Sequence, residues 1–266
     1  MSFETAAIGR PGPARSYEVT EEALGAYAAA TDDLPGGPVF AIVPAWPTIA
    51  PSSRSVASEG ARRQVVHYEH ALVVHRPLDA GRVLVTRATP VALLSRPNGT
   101  SLVIRAETRD EDGELVTEQY VTEFFRGVET SAMVGERAPS HPQTADGAPL
   151  ATVTHPIQDD QTVRYAAASG DDFAIHLDDA FAQTVGLPGR IVHGLCTLAH
   201  ASRAVRAAAG VDDPRAVRRL SVRFSAPLFP GETLTTDVWR VDGGYEFSAR
   251  AGDDRVVLKD GWVEVA

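Results

Sequence analysis

Apolar and polar positions alternate along two separate stretches of the chain. In the first half the strand-like runs are 64–74, 82–94, 101–109 and 115–126; in the second they are 216–224, 233–241, 244–251 and 255–264. All are rich in Val, Thr, Phe and Trp with partial period-two alternation, which predicts pleated strands with one face buried. Asp110-Glu111-Asp112-Gly113 and Asp242-Gly243-Gly244 punctuate them as hairpin turns, so neighbouring strands should run antiparallel. Each set follows a helix-like stretch, ending near Tyr27-Ala28-Ala29-Ala30 and Tyr165-Ala166-Ala167-Ala168. A further buried helix is expected from Gly194 through Leu195-Cys196-Thr197-Leu198-Ala199. A main helix followed by antiparallel strands is an α+β order, and the chain shows it twice.

The two halves resemble each other. Tyr27-Ala-Ala-Ala-Thr31-Asp32-Asp33 echoes Tyr165-Ala-Ala-Ala-Ser169-Gly170-Asp171-Asp172, and Arg76-Pro77-Leu78-Asp79-Ala80-Gly81 echoes Ala226-Pro227-Leu228-Phe229-Pro230-Gly231. Ala41-Ile42-Val43 echoes Arg190-Ile191-Val192. Between the first and later landmarks the second half carries extra residues, and these include His176. The first half also has Pro44-Ala45-Trp46 where the second has His193-Gly194-Leu195. The boundaries read as 1–137, a Pro/Ser/Gly/Thr-rich linker over 138–151, and 152–266. The first half is a duplicate without the loop that bears His176.

Composition narrows the function classes. A hydrophobic content of 44% over 266 residues supports a full core. The net charge of −10, with no basic run, argues against nucleic-acid binding. Cys196 is the single cysteine, which excludes an internal disulfide and fits a small buried side chain in a reducing compartment. No apolar run is long enough to span a membrane, and residues 1–13 lack a signal core, so a cytoplasmic protein is expected. Arg190, Arg203, Arg206, Arg215, Arg218 and Arg219 lie close in sequence to the candidate site, as anion contacts or as solvated surface. His67, His70 and His75 lack metal-site spacing, because strand alternation puts His70 on the face opposite the other two. Asp171, Asp172, Asp178 and Asp179 lack the loop pattern of a calcium site. No metal is expected.

The candidate chemistry lies in Tyr165–His176 and Ile191–Leu195. Asp171 and His176 place a carboxylate and an imidazole five residues apart, after a glycine that lets the chain leave its helix. Alone, the pair reads as a surface helix end closed by an ion pair. Gly194, at a helix start, offers a bare N–H to an oxygen carrying negative charge.

Ser169-Gly170-Asp171-Asp172-Phe173-Ala174-Ile175-His176, with Ile191-Val192-His193-Gly194-Leu195-Cys196 downstream, resembles the signature of MaoC-like (R)-specific enoyl-CoA hydratases. The resemblance implies a double hot-dog fold, each half a sheet wrapped around a central helix. It implies Asp171 and His176 as the acid/base pair, and Gly194 as the oxyanion donor. Ser169, Phe173, Arg190 and His193 would lie around the substrate, His193 as part of the turn into the helix. The substrate would be an acyl-CoA or acyl-carrier-protein thioester, with no cofactor beyond it, and a homodimer is expected. Phe173 and Ala174 depart from the Asn-Pro usual in the family, and the expectation is that Phe173 is buried and holds the loop by packing. The competing readings are a hot-dog thioesterase and a decayed acyl-CoA-binding partner subunit.

Overall fold

The structure is a computed structural model and describes residues 2–266. In chain order the main elements are strand β1 (Arg15–Glu18), helices α1 (Glu21–Ala30), α2 (Ile42–Val56) and α3 (Glu59–Arg62), and strands β2 (Val65–Val74), β3 (Val83–Arg96), β4 (Gly99–Arg109), β5 (Leu115–Arg126), β6 (Met133–Val134) and β7 (Ala151–Pro156). Helices α4 (Gln161–Ser169), α5 (Asp179–Thr184) and α6 (Gly194–Ala209) follow, then strands β8 (Val217–Phe224), β9 (Thr233–Val241), β10 (Gly244–Arg250) and β11 (Val256–Val265). Among the described residues no helix is long and apolar enough to cross a membrane.

The chain forms two compact units. One comprises residues up to Val19, Pro44–Pro77 and Gly81–Ser140; the other comprises Thr20–Val43, Leu78–Ala80 and His141–Ala266. This partition departs from the sequence halves because α1 packs against α4.

In the first unit the strands lie in the order β1-β3-β4-β5-β2, each pair antiparallel, with β6 on β3. Leu84, Leu93, Leu102, Ile104 and Phe125 are fully buried there, each side chain contributing roughly 1.5–3 kcal/mol. A register shift between His67 and Glu69 breaks the alternation of β2. The extra residue turns His67 and His70 toward each other, ring centroids 5.5 Å apart, and corrects the expectation that they face opposite ways.

In the second unit the order is β8-β11-β10-β9-β7, again antiparallel. α6 packs against all five strands. It buries residues on nearly every side, Cys196 among them, and ends at Gly210 in the left-handed conformation that closes helices (φ 70°). The Tyr27 and Tyr165 hydroxyls, one each from α1 and α4, hydrogen-bond at 3.2 Å. The stretch read as linker is tied down in part: Glu246 accepts from the Thr144 and Ala145 N–H groups at 2.7 and 2.9 Å. Ala151–Pro156 is an edge strand on β9, where a terminal proline is tolerated.

Candidate active site

Helix α4 carries Tyr165 inward, 1% exposed, and stops at Gly170, whose φ of 77° makes it the left-handed cap. The chain then turns back sharply. Ser169 Oγ accepts from the Asp171 N–H at 3.2 Å, and Asp171 Oδ1 accepts from the Phe173 N–H at 3.3 Å. A short 3-10 turn over Ala174–His176 follows. Asp178 caps α5 by accepting from the Ala180 and Phe181 N–H groups. Asp179 accepts from the Arg190 N–H at 2.8 Å, and Ile191 N–H donates to the Ile175 carbonyl at 3.2 Å. Backbone bonds and aspartate caps, rather than a hydrophobic plug, shape this loop.

Inside it Asp171, His176 and His193 converge, with one ligand atom of each within 4.8 Å of the others. His176 Nδ1 lies 2.8 Å from the Ile191 carbonyl. A carbonyl only accepts, so Nδ1 carries the proton and Nε2 presents a lone pair. His193 Nε2 lies 3.0 Å from the Asp171 carbonyl, which by the same argument makes it the protonated nitrogen of His193. The two rings stack at 3.8 Å and 23°. Burial pushes the Asp171 carboxyl up to about 6, aided by Asp172 and opposed by the Phe173 N–H. Burial holds His176 down to about 4 against its bond to Ile191, and holds His193 down to about 3, with His176 adding to the effect. At neutral pH both imidazoles are uncharged.

Gly194 opens α6. The first intrahelical bond there runs from the Thr197 N–H to the His193 carbonyl at 3.0 Å, so the amides before it have no acceptor within the helix. A Cβ on Gly194 would meet the Phe224 ring at 3.0 Å. The absence of a side chain is what lets that ring pack against the helix start.

The remaining candidates fall differently. Ser169 shapes the turn. Arg190 is engaged through Asp179 and, by its guanidinium, the Asp159 carbonyl at 3.3 Å. Phe173 is 57% exposed, with its ring edge-on to Phe181 at 5.8 Å. The expectation of a buried plug is therefore corrected: the Phe173 backbone holds Asp171, and its ring faces solvent. Arg206 is buried in an ion pair with Asp33, Arg215 pairs with Asp79 at 3.4 Å and Arg219 with Glu264 at 3.5 Å, which leaves these three as fold contacts.

Sequence reading missed two features. Tyr165 lies against His193, centroids 4.8 Å apart; its place at the head of the motif was the available signal. A second imidazole pair, His155 and His200, stacks at 4.3 Å beside Asp32. Its ligand atoms also lie within 4.8 Å of one another, but Arg164 donates to Asp32 at 3.3 Å and Arg203 approaches His155 Nδ1 at 3.4 Å. Two guanidinium groups oppose a cation there.

The α+β chain thus brings a carboxylate and a neutral imidazole together in one loop, with a glycine opening the helix that follows. Residues 140–259 match the MaoC like domain, and 23–127 match the MFE-2 hydratase 2 N-terminal domain. 3-Hydroxyacyl-thioester dehydratase Y of Mycobacterium tuberculosis is 35% identical over 210 residues, spanning 75% of this chain and 72% of that protein. The peroxisomal enoyl-CoA hydratase 2 of Arabidopsis thaliana is 31% identical over 187 residues, 66% of this chain and 60% of that one. The MaoC-like dehydratase of Phytophthora capsici superposes with a TM-score of 0.87 at 21% identity, covering 98% of this chain and 97% of that one. The chain belongs to the MaoC-like dehydratase family and has its double hot-dog fold.

Proposed function

We propose that this protein hydrates trans-2-enoyl thioesters reversibly, producing (R)-3-hydroxyacyl thioesters, with Asp171 and His176 as the acid/base pair. The supporting observation is the tautomer of His176. With its proton committed to Ile191, Nε2 is an acceptor and takes the proton of the water whose oxygen bonds to Cβ. Asp171, raised to about 6, retains a protonated fraction that delivers a proton to Cα as the enolate collapses. Proton exchange between the two neighbouring groups restores the starting state. The thioester oxygen, enolate-like at the transition state, accepts from the Gly194 N–H, a donor typically worth about 3 kcal/mol of barrier. The thioester itself acidifies Cα, so this route calls on no metal or redox cofactor.

A panel of trans-2-enoyl-CoA esters of increasing chain length tests the reading, with loss of the enoyl absorbance as the signal. Hydration without free thiol supports it. Thiol release without hydration would replace it with a thioesterase, and binding without turnover would replace it with a carrier or partner role.

A further inference from the structure

We infer that His193 is a positioning residue of this site, holding the Asp171 main chain in the register with His176 that proton transfer requires. The inference rests on the hydration reading above and adds a residue to its machinery. His193 is the N-cap of α6, yet its side chain makes no capping bond, the task that Ser, Thr, Asp and Asn perform at such positions. Its carbonyl instead accepts from the Thr197 N–H at 3.0 Å and the Thr197 hydroxyl at 3.2 Å, which anchors the residue to the first turn of the helix. The imidazole points into the protein, 1% exposed.

From that anchor the ring makes three contacts. Nε2–H donates to the Asp171 carbonyl at 3.0 Å. One neighbour is the His176 ring, stacked at 3.8 Å. Another is Tyr165, tilted at 4.8 Å, whose hydroxyl is held by Tyr27 at 3.2 Å. The brace thus runs from α4 through the start of α6 to the turn that carries His176. His193 does not itself exchange protons in this scheme: one nitrogen is committed to a carbonyl, and burial together with His176 keeps the ring uncharged. Displacements of about 1 Å in such groups cost about a hundredfold in rate.

Two substitutions separate the contacts. His193→Gln puts an amide nitrogen where Nε2 lies and so keeps the bond to Asp171; His193→Phe keeps a ring against His176 and loses that bond. On enoyl-CoA, His193→Phe should lose about tenfold or more in kcat with KM within about threefold, and His193→Gln should recover to within about threefold of the wild type. Wild-type kcat in His193→Phe would overturn the inference. So would a His193→Gln kcat below about a tenth of the wild type, a criterion that stands even if His193→Phe fails to fold. Long-range ¹H–¹⁵N spectra of the unaltered protein give a readout independent of turnover: Nε2–H on His193 and Nδ1–H on His176. A protein that hydrates but shows Nδ1–H on His193 would overturn the positioning role alone. One that shows both tautomers and hydrates nothing would support the brace and sink the hydration reading.

Discussion

Replacing Asp171 by Asn should make the protein more stable and nearly inactive. Asp171 is raised from 3.8 to about 6 because burial disfavours its charge. About two pKa units at roughly 1.4 kcal/mol each give about 3 kcal/mol of native-state cost once the group is ionised. The folded form holds this proton more tightly than the unfolded chain does. Stability is therefore lost as pH rises from about 4 through about 6, and the cost is constant above that range. Asn carries no charge and can still accept from the Phe173 N–H, now at 3.3 Å. Partial solvent access reduces the gain to about 2 kcal/mol at pH 8, which for a chain of this size is roughly 4–8 °C in Tm. Urea unfolding of both proteins at pH 4 and pH 8 measures it. The curves should coincide at pH 4 and separate at pH 8, while kcat falls by about a hundredfold. Equal stability at pH 8, or a difference that does not change with pH, would refute the claim that burial sets the protonation of Asp171.

Three further outcomes follow from the same geometry. The pH profile of kcat/KM should fall on the acid side near pH 4, as His176 gains a proton, and on the alkaline side above about pH 6, as Asp171 loses one; an alkaline limb unchanged in Asp171→Asn would assign that limb to another group. Gly194→Val should lower kcat by about tenfold or more, because a Cβ there would meet the Phe224 ring at 3.0 Å and must shift the ring or the helix start that carries the N–H; unchanged kinetics would remove Gly194 from the mechanism. Phe173→Ala should leave the unfolding midpoint within about 0.5 kcal/mol of the wild type, since the ring is exposed; a loss of several kcal/mol would show that the ring holds the loop after all.

The sheets were legible because alternation survives where one face is buried: the run 115–126 coincides with β5, and 233–241 with β9. β7, just beyond the linker, was not read as a strand because a six-residue edge strand ending in proline carries little apolar signal. α2 contains Pro47 and Pro51, residues that sequence reading takes as helix breakers. Asp171, His176 and Gly194 could be named as candidates because the family resemblance rests on two short local motifs that contain them; their spacing alone read as a helix end. The part played by His193 could not be, because it depends on a hydrogen bond between separate segments. Phe173 was misplaced for a related reason: its residue type argues for burial, while its position on a loop already closed by backbone hydrogen bonds leaves the ring outside.

The central claim is that Asp171 and the lone-pair nitrogen of His176 together carry the hydration of an enoyl thioester. Its most direct test is the kcat/KM of His176→Ala on the best trans-2-enoyl-CoA substrate of the wild type, with circular dichroism recorded on the same samples. The expected result is a native spectrum with kcat/KM reduced by about a hundredfold or more. A native spectrum with kcat/KM within about threefold of the wild type would contradict the account.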